Sequence, residues 1–504
     1  MIRKLLDEVE LSAQSEGPQA GERTGLSEEI YCDDITELSE QNQDELEVDS
    51  VYEYLRIDAQ TDVANANRFA GAFKGRILYI PQLETWLTWD GKRWLDDNST
   101  LVLRLGKKYA ESLWGIHAKL SRTKVSRDQL EKLRTFCRRT NERRRILDFI
   151  ALATADERVV SSPDELNKNP TLLNCQNGTL NLETGKLSPH NPADRITQLA
   201  GVAYDENADC PEWLKTLDLI FDGDEQLVTY LQRLCGYMLS GLTGAHIMPI
   251  AYGHGSNGKS TVTGVLTELL GDYCGIVEAD LILPKKQNAH PNEKKQLFQK
   301  RFCPITEADE GSSLAEAKVK ALTGGDDINT RGCFEDFWTF KPTHKFWMST
   351  NHKPRIKGTD KGIWRRIRLI PFTVDIESKV TKRDDMHKWL VANEGPGILA
   401  WAARGFRDYR ELGFAEPDAV KQATNEYRND EDEIGRWLSE HCIEDANAVE
   451  RASRLFEAYK NSGGTQTQSA FGKRLKDKFK DDKPKGGEHR NKVIYYGLRL
   501  ANEA

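Results

Sequence analysis

The sequence predicts an α/β protein built from three successive folded parts. A short apolar strand, a glycine-rich loop and a helical pattern follow one another between 247 and 270, the order expected at the centre of an α/β domain. Before it, alternating apolar and polar residues around 77–95 and helical spacing over 101–155 predict an α+β domain. After 433, three helical segments and a strand predict a small module.

Charge is distributed unevenly along the 504 residues, whose net charge is -8. The first 50 residues hold three basic and fifteen acidic side chains, a net charge of -12, so the other 454 residues carry +4. An acidic segment of this kind buries too little apolar surface to fold alone. We therefore expect residues 1–60 to be a disordered arm, or one that becomes ordered on a partner.

Cysteine and apolar patterns exclude several classes of protein. The nine cysteines form no CxxC pair, so neither a disulfide framework nor a zinc ribbon is indicated. We find no secretory signal pattern and no stretch of roughly 18 apolar residues that would span a membrane. The sequence predicts a cytoplasmic protein without a membrane partner.

The domain over 61–210 contains two hairpin signals and one basic strip. Asp90-Gly91 and Asn177-Gly178 are pairs that favour tight turns between strands. Residues 119–145 carry eleven Lys and Arg against three acidic residues, a net charge of +8. This strip could bind phosphate backbones, or it could be a solvated helix face that pairs with the acidic arm or with a neighbouring subunit.

The strongest motif is a glycine-rich loop of the form GxxxxGKS. In such a loop backbone N-H groups point at phosphate oxygens, the lysine reaches the β and γ phosphates, and the serine hydroxyl binds Mg2+. The motif therefore predicts binding of ATP with Mg2+, with Lys259 catalytic and Ser260 on the metal. The predicted nucleotide-binding residues are Gly253, Gly255, Ser256, Asn257, Gly258, Lys259, Ser260 and Thr261.

Acidic residues about fifty positions downstream could complete a hydrolytic site. In RFCPITEADEG we expect Glu307 to orient water and Asp309 to act on the metal side. Pro304 weakens the strand expected before them, because a central strand seldom tolerates proline. Taken alone, these acids would better suit an ordinary surface loop.

The segment KVKALTGGDDINTRGCFEDFWTFKPTHKFWMSTNHKPRIKGTDKGIWRRIRLIPF extends the pattern over 318–372. With the loop and the acids before it, it resembles the core of superfamily 3 helicases of the phage and plasmid primase-helicase group. The resemblance implies an AAA+-type P-loop core, preceded by an α+β collar domain and followed by a winged-helix domain.

The resemblance also assigns roles to two further positions. Asn351 matches a polar sensor of the γ phosphate, although an asparagine can also simply end a strand. Arg366 matches an arginine finger that enters the site of a neighbouring subunit, with Arg365 as the alternative. A finger supplied in trans requires an oligomer, and the family implies a homo-hexameric ring.

Ile328 to Phe340 resembles the hairpin that contacts single-stranded DNA in the central channel. Its tip, Cys333-Phe334-Glu335-Asp336, is acidic where relatives tend to place a lysine, and acidic groups repel phosphate. We therefore expect DNA contacts from Arg331, Phe334 and Lys341. Phe334 and Trp338 could instead serve in hydrophobic packing.

Residues 433–504 fit the winged-helix domain that the family often carries at this end. Basic residues of the third helix, Lys473, Arg474 and Lys476, are expected to bind duplex or origin DNA. The alternative is a solvated basic face.

Together these patterns predict five regions: an acidic arm at 1–60, the collar at 61–210, the ATPase at 211–400, a helical linker at 401–432, and the winged-helix domain at 433–504. We expect an ATP-driven helicase of a phage, plasmid or other mobile element, acting in a bacterial cytoplasm. Only about 60 residues precede the collar, so we expect no primer synthesis by this chain, and a separate primase or polymerase as a partner. A helicase loader or remodeler of the same fold, or a nucleotide-regulated DNA scaffold, are the alternatives.

Overall fold

The computed structural model describes residues 51–284, 292–305, 311–331, 337–356, 361–376, 385–485, 489 and 492–501. Glu307, Asp309 and Phe334 lie outside these ranges, as does the acidic segment before residue 51. The chain forms two compact units. The first runs to Leu166 and includes Pro192–Thr197, and the second comprises Asn167–Asn191 and the chain from Gln198 onward.

The first unit combines an antiparallel sheet with a group of helices. The sheet has the strand order β1-β2-β3. The elements, in chain order, are α1 (Asp62–Ala72), β1 (Ile77–Ile80), β2 (Thr85–Trp89), β3 (Trp94–Asp96), α2 (Leu101–Leu120), α3 (Arg127–Thr140) and α4 (Arg143–Ala153).

Apolar periodicity explains the helices of this unit. In α2 the buried residues recur every three or four positions from Leu101 to Leu120, which places them on one face of the helix. Phe69 of α1 and Tyr109 of α2 both contact Phe149 of α4, with ring centroids 5.5 and 5.4 Å away. These contacts form the core of the predicted α+β region.

The hairpin expected at Asp90-Gly91 is confirmed between β2 and β3. The Asp90 carboxylate accepts hydrogen bonds from the backbone N-H groups of Lys92 and Arg93, at 2.8 and 2.7 Å. Gly91 has a φ of 94°, which a side chain would disfavour. The turn is therefore held by local hydrogen bonds and by the glycine.

The second unit contains a small meander, a parallel sheet and a C-terminal group of helices and strands. Its elements, in chain order, are β4 (Leu172–Cys175), β5 (Gly178–Asn181), β6 (Leu187–Ser188), α5 (Pro211–Phe221), α6 (Glu225–Leu239), β7 (Met248–Tyr252), α7 (Lys259–Leu270), α8 (Asn292–Lys295), β8 (Phe302–Ile305), α9 (Glu316–Leu322), β9 (Ile328–Thr330), β10 (Trp338–Phe340), β11 (Lys345–Thr350), α10 (Lys361–Trp364), β12 (Ile367–Pro371), α11 (Met386–Leu412), α12 (Asp418–Glu431), α13 (Glu433–His441), β13 (Cys442–Arg451), α14 (Ala452–Asn461), α15 (Gln468–Lys476), β14 (Asp481–Asp482) and β15 (Ile494–Leu500). None of the helices described is both long enough and apolar enough to cross a bilayer.

The second predicted hairpin joins β4 and β5, but its turn lies one residue earlier than expected. Cys175 is paired with Gly178, so Gln176 and Asn177 form the turn and Gly178 begins the next strand. The Asn177 side chain donates to the carbonyl of Tyr204 at 2.9 Å. A tertiary contact thus explains the shifted turn.

The central sheet is parallel and has the strand order β12-β7-β11-β8. Parallel strands place their carboxyl ends at one edge, where α/β proteins usually bind ligands. Tyr252 at the end of β7 lies beside Thr350 of β11 and Pro371 of β12. Residues that follow these strands therefore converge at this edge.

The strand expected around Pro304 is confirmed as β8, at the edge of the four-stranded sheet. On its outer side the N-H groups of Gly275 and Val277 donate to the carbonyls of Phe302 and Pro304, at 2.9 and 3.3 Å. The proline carbonyl still accepts there, and an edge strand tolerates the missing N-H group.

Two glycines allow helices α6 and α11 to pack in direct backbone contact. A Cβ atom on Gly236 would lie 2.1 Å from the backbone nitrogen of Phe406, and one on Gly405 would lie 2.2 Å from the carbonyl oxygen of Gln232. Both positions therefore exclude larger residues. The contact supports the sheet from one side through the core that these helices share with α7.

The C-terminal group has the element order helix, strand, helix, helix and two strands, from α13 to β15. Its antiparallel sheet has the order β13-β15-β14. Trp437, Tyr459 and Phe471 meet at its core, with ring centroids 4.8 to 5.6 Å apart. The three predicted helices are present, and β13 is an additional strand that the sequence pattern did not indicate.

Candidate nucleotide site at the carboxyl edge of the parallel sheet

The glycine-rich loop connects β7 to α7 and adopts a conformation that needs glycine. Gly255 and Gly258 have φ angles of 104° and 83°, a region that side chains disfavour. A Cβ atom on Gly253 would lie 2.0 Å from the carbonyl oxygen of Phe372. The glycines of the motif thus allow both the curl of the loop and its close approach to the end of β12.

The structure brings Lys259 and Asn351 together. Lys259 is only 7% exposed, and its amine donates to the Gly253 carbonyl at 2.7 Å, to Asn257 Oδ1 at 2.9 Å and to Asn351 Oδ1 at 3.0 Å. The last bond joins residues 92 positions apart. The predicted catalytic lysine and the predicted sensor therefore share one hydrogen-bonded cluster.

Asn257 attaches the loop to the strand on its other side. Its amide nitrogen donates to the carbonyl of Phe372 at 2.8 Å while its oxygen accepts from Lys259. The backbone N-H of Ile376 also donates to the carbonyl of Ser256 at 2.9 Å. Sequence reasoning placed Asn257 in the loop but missed this link, because its partner lies 115 positions away.

A second polar cluster joins α7 to β11 beneath the loop. Thr263 Oγ1 and Ser349 Oγ are 3.0 Å apart. The buried Trp347 indole donates to both, at 3.0 and 3.1 Å. This cluster was also missed from the sequence, where nothing local marks Thr263 as a partner of β11.

The remaining loop residues differ in exposure. Gly255, Ser256 and Ser260 are exposed, and Thr261 is half-buried at the start of α7. Ser260 therefore presents its hydroxyl at the surface of the loop. Such a position allows a hydroxyl to reach a ligand that lies on the loop.

The predicted acids, Glu307 and Asp309, lie outside the described residues, but the strand before them is described. Ile305, its last residue, is paired with Met348 of β11. Strand β8 therefore ends at the same edge of the sheet as β7 and β11.

Arg366, the predicted finger, lies at the opposite edge of the sheet, where its side chain is bonded within its own subunit. Its carbonyl accepts from Met248 at the start of β7, about 17 Å from the loop for a five-residue strand. The guanidinium is buried and donates to Thr323 Oγ1 at 2.9 Å and to the Gly362 carbonyl at 2.6 Å. Arg366 thus holds its own subunit together, whereas Arg365 is exposed.

The predicted hairpin over Ile328 to Phe340 is present as the antiparallel pair β9-β10. Arg331 and Lys341 are exposed, and the Arg331 guanidinium lies 4.6 Å from the ring centroid of the exposed Phe337. Trp338 is buried against Phe298. The packing interpretation of Trp338 is therefore the correct one.

The three basic residues predicted on α15 have different surroundings. Lys473 is exposed, and Lys476 pairs with Asp481 at 2.7 Å. Arg474 forms an ion pair with Asp432, which also caps the start of α13. Arg474 is therefore engaged within its own unit, whereas Lys473 and Lys476 are exposed.

Buried basic side chains stabilise the edge of the sheet opposite the loop. Burial lowers the pKa of His344 to about 4, and burial together with the charge of Arg301 lowers the pKa of Lys345. Lys345 donates to the carbonyl of Ser240, and Arg301 donates to that of Leu239 at 2.6 Å. These bonds fix the starts of β8 and β11 to the end of α6.

Fold and site together define an α/β protein with a parallel sheet and a polar cluster at its carboxyl edge. Two family descriptions match the chain: "D5 N terminal like" over residues 66–222, and a family of unknown function over residues 251–366.

Several viral proteins are similar in sequence. "Putative helicase L207/L206" of Acanthamoeba polyphaga mimivirus is 27% identical over 59% of this chain and 33% of its own length. "Putative helicase 121R" of Invertebrate iridescent virus 3 is 25% identical over 44% of this chain and 24% of its own length. The chain spans a third or less of the length of these relatives.

Among solved structures, "The apo structure of NrS-1 C terminal region" is 11% identical with a TM-score of 0.48, over 84% of this chain and 96% of that one. The family and sequence matches confirm the resemblance stated from the motifs. The chain is therefore similar to viral proteins named as putative helicases and matches the "D5 N terminal like" description over part of its length.

Proposed function

We propose that the chain is an ATP-dependent DNA helicase of superfamily 3, acting in the replication of a virus, phage or other mobile element. One observation carries this proposal. Lys259 of the glycine-rich loop and Asn351 at the end of the adjacent strand are joined by a hydrogen bond of 3.0 Å. A phosphate-binding lysine and a polar sensor must act on the same phosphate.

The sheet order supports an AAA+-type P-loop core. Strand β11 lies between β7, which leads into the loop, and β8, which leads toward the predicted acids. Cys274 and Val277 form isolated parallel bridges along the outer side of β8. The loop, Asn351 and the chain after Ile305 thus each follow one of three neighbouring parallel strands, which supports a core of this type.

The loop suits ATP with Mg2+. Gly255 is exposed and has no atom within 4 Å of where a Cβ would lie, and the oxygens of Gly253, Asn257 and Asn351 that accept from the Lys259 amine are neutral. Charged oxygens accept such bonds more strongly, so the amine would turn toward a phosphate. Ser260, with Asp309, would hold Mg2+. The bound nucleotide supplies the phosphoanhydride bond whose cleavage drives movement.

A trans finger would require a homo-hexamer or another ring. Arg365 suits the role of finger better than Arg366, because Arg365 is exposed and the Arg366 guanidinium is bonded within its own subunit. An exposed guanidinium can reach a neighbouring site and stabilise charge on the transferred phosphate.

DNA contacts are proposed at two places. Arg331 and Lys341 flank the β9-β10 hairpin and, with Phe334, would contact single-stranded DNA. The element order from α13 to β15 supports a winged helix, in which Lys473 on the third helix would contact duplex or origin DNA.

Steady-state ATPase and unwinding assays on the full chain and on Lys259→Ala test the proposal. We expect ATP hydrolysis stimulated by single-stranded DNA, and loss of hydrolysis and unwinding in the variant with retained DNA binding. Lys107→Ala, at an exposed lysine of α2 in the first unit, is the matched control. Hydrolysis without DNA stimulation would indicate a remodeler or loader, and unchanged function in Lys259→Ala would indicate a scaffold.

A further inference from the structure

The turn between α3 and α4 concentrates arginine. Residues 138–145 contain five arginines and one glutamate, and α3 ends at Thr140 just before α4 begins at Arg143. Four of the arginines are exposed. We call these four the arginine corner: Arg138, Arg139, Arg143 and Arg144.

Most basic residues near the corner already have acidic partners, but the corner has few. Nearby, Arg145 pairs with Asp62 at 2.5 Å, Lys132 with Asp128 at 2.7 Å and Arg134 with Glu131 at 3.5 Å. Within the corner, Arg144 lies 3.8 Å from Asp148 and its side chain is 88% exposed. Its other three arginines form no ion pair with any residue that the structure describes.

Helix stability does not explain the whole corner. Arg138 and Arg139 lie in the last turn of α3, where positive charge is favourable. Arg143 and Arg144 lie in the first turn of α4, which has no acidic residue and where the helix dipole disfavours cations. Two of the four arginines thus occupy positions where their charge destabilises helix α4.

The acidic residues that face the corner do not neutralise it. A cleft of about 610 Å³ adjoins it, with Arg139 in its wall, and the carboxylates of this cleft belong to Asp62, Asp128 and Glu131. Each of these carboxylates is within 3.5 Å of a different cation of the same unit. Glu142 is the one carboxylate within the turn itself.

We propose that the arginine corner binds the phosphate backbone of a nucleic acid. Arginine presents a planar fork of N-H donors that pairs with phosphate in two parallel hydrogen bonds. Several such groups on one turn match a polyanion with closely spaced phosphates. The arginine corner belongs to the first unit, whereas the hairpin and the C-terminal group belong to the second, and binding at the corner requires no ATP hydrolysis.

Salt titrations of DNA affinity test this proposal on the full chain without nucleotide. The probes are fluorescein-labelled oligothymidine and a labelled duplex, read by fluorescence anisotropy. The variant is Arg138→Gln, Arg139→Gln, Arg143→Gln. Its matched control is Arg122→Gln, Lys124→Gln, Arg127→Gln, three exposed cations at the other end of the 14-residue helix α3, about 21 Å away.

We expect the corner variant to bind roughly tenfold or more weakly, with the slope of log K against log salt reduced by about 2 for single strands and 3 for duplex. The control variant should keep most of its affinity for DNA and most of its salt slope. Unchanged affinity in the corner variant overturns the proposal and favours an acidic partner, such as residues 1–50 or another subunit. Equal losses of DNA affinity in the two variants also overturn the proposal, because they indicate a general attraction between DNA and basic residues rather than binding at the corner.

Circular dichroism and the urea midpoint establish that both variants fold. The outcome is independent of the proposed helicase activity: Lys259→Ala tests hydrolysis and leaves the corner intact, whereas the corner variant leaves the nucleotide loop intact.

Discussion

At the residue scale, Arg365 and Arg366 are adjacent in sequence and have opposite surroundings. The Arg366 guanidinium is buried among oxygens of its own subunit, which include the hydroxyl of Thr323 and the carbonyl of Gly362. The Arg365 side chain is exposed. A motif that contains both arginines cannot distinguish the structural residue from the accessible one, because burial is decided by elements distant in sequence.

Alanine substitution should separate these two roles. Arg366→Ala leaves buried acceptors without a donor, which costs about 1–3 kcal/mol for each unsatisfied group, so we expect a free energy of unfolding lower by roughly 3 kcal/mol. Arg365→Ala should change it by less than about 0.5 kcal/mol. Urea titration measures both values. A stable Arg366→Ala variant with lost ATP turnover would restore Arg366 as the finger.

The same contrast shows how much of the site could be predicted. A fixed spacing of glycines, lysine and serine indicated the loop, and the family resemblance indicated Asn351. The bonds from Asn257 to Phe372 and from Thr263 to Ser349 span 115 and 86 positions. Such contacts depend on strand order, which the local pattern of the sequence did not contain.

At the scale of elements, helix α7 and strand β11 are joined by hydroxyl groups as well as by apolar packing. Thr263 and Ser349 lie 3.0 Å apart, and the Trp347 indole donates to both. Because α7 begins with Lys259 and β11 leads to Asn351, this cluster fixes the two predicted catalytic residues relative to each other.

A double-mutant cycle measures this connection. Thr263→Val and Ser349→Ala should each lower the free energy of unfolding by about 1 kcal/mol, and the two together should differ from the sum by 0.5 kcal/mol or more, roughly the coupling expected of residues in one network. Thr216→Val on α5 with Ser349→Ala is the control. These two share no hydrogen bond and should be additive. Additivity in both pairs would show that the cluster does not couple helix and strand.

Element boundaries were predictable where periodicity was strong and less so elsewhere. The three C-terminal helices were expected close to their observed positions, since each has an apolar stripe and a polar start. Strand β13 was missed because seven of its ten residues between Cys442 and Arg451 are polar or alanine, and because it follows one helix and precedes another without an intervening turn. It forms only because β15 pairs with it, which is a tertiary effect.

At the scale of the whole molecule, composition alone was misleading. A net charge of -8 would suggest poor affinity for nucleic acid, yet the acidic excess lies in the first 50 residues and the rest carries +4. The proposed motor adds a requirement that no single chain can meet. Its site needs a cation from an adjacent copy of the chain. Arg365 is the proposed cation, because the Arg366 guanidinium is bonded within its own subunit.

Mixing two inactive variants tests whether the site is shared between subunits. Lys259→Ala keeps the proposed finger and lacks the loop lysine, whereas Arg365→Ala keeps the lysine and lacks the finger. In an equal mixture that assembles at random, about a quarter of the interfaces combine an intact lysine with an intact finger from the neighbour. ATPase activity should therefore return on co-assembly, although each variant alone is inactive.

A mixture of Lys259→Ala with the double variant Lys259→Ala, Arg365→Ala is the control, and it should stay inactive because no subunit then supplies a lysine. If mixed rings form and the first mixture also remains inactive, Arg365 does not act across the interface.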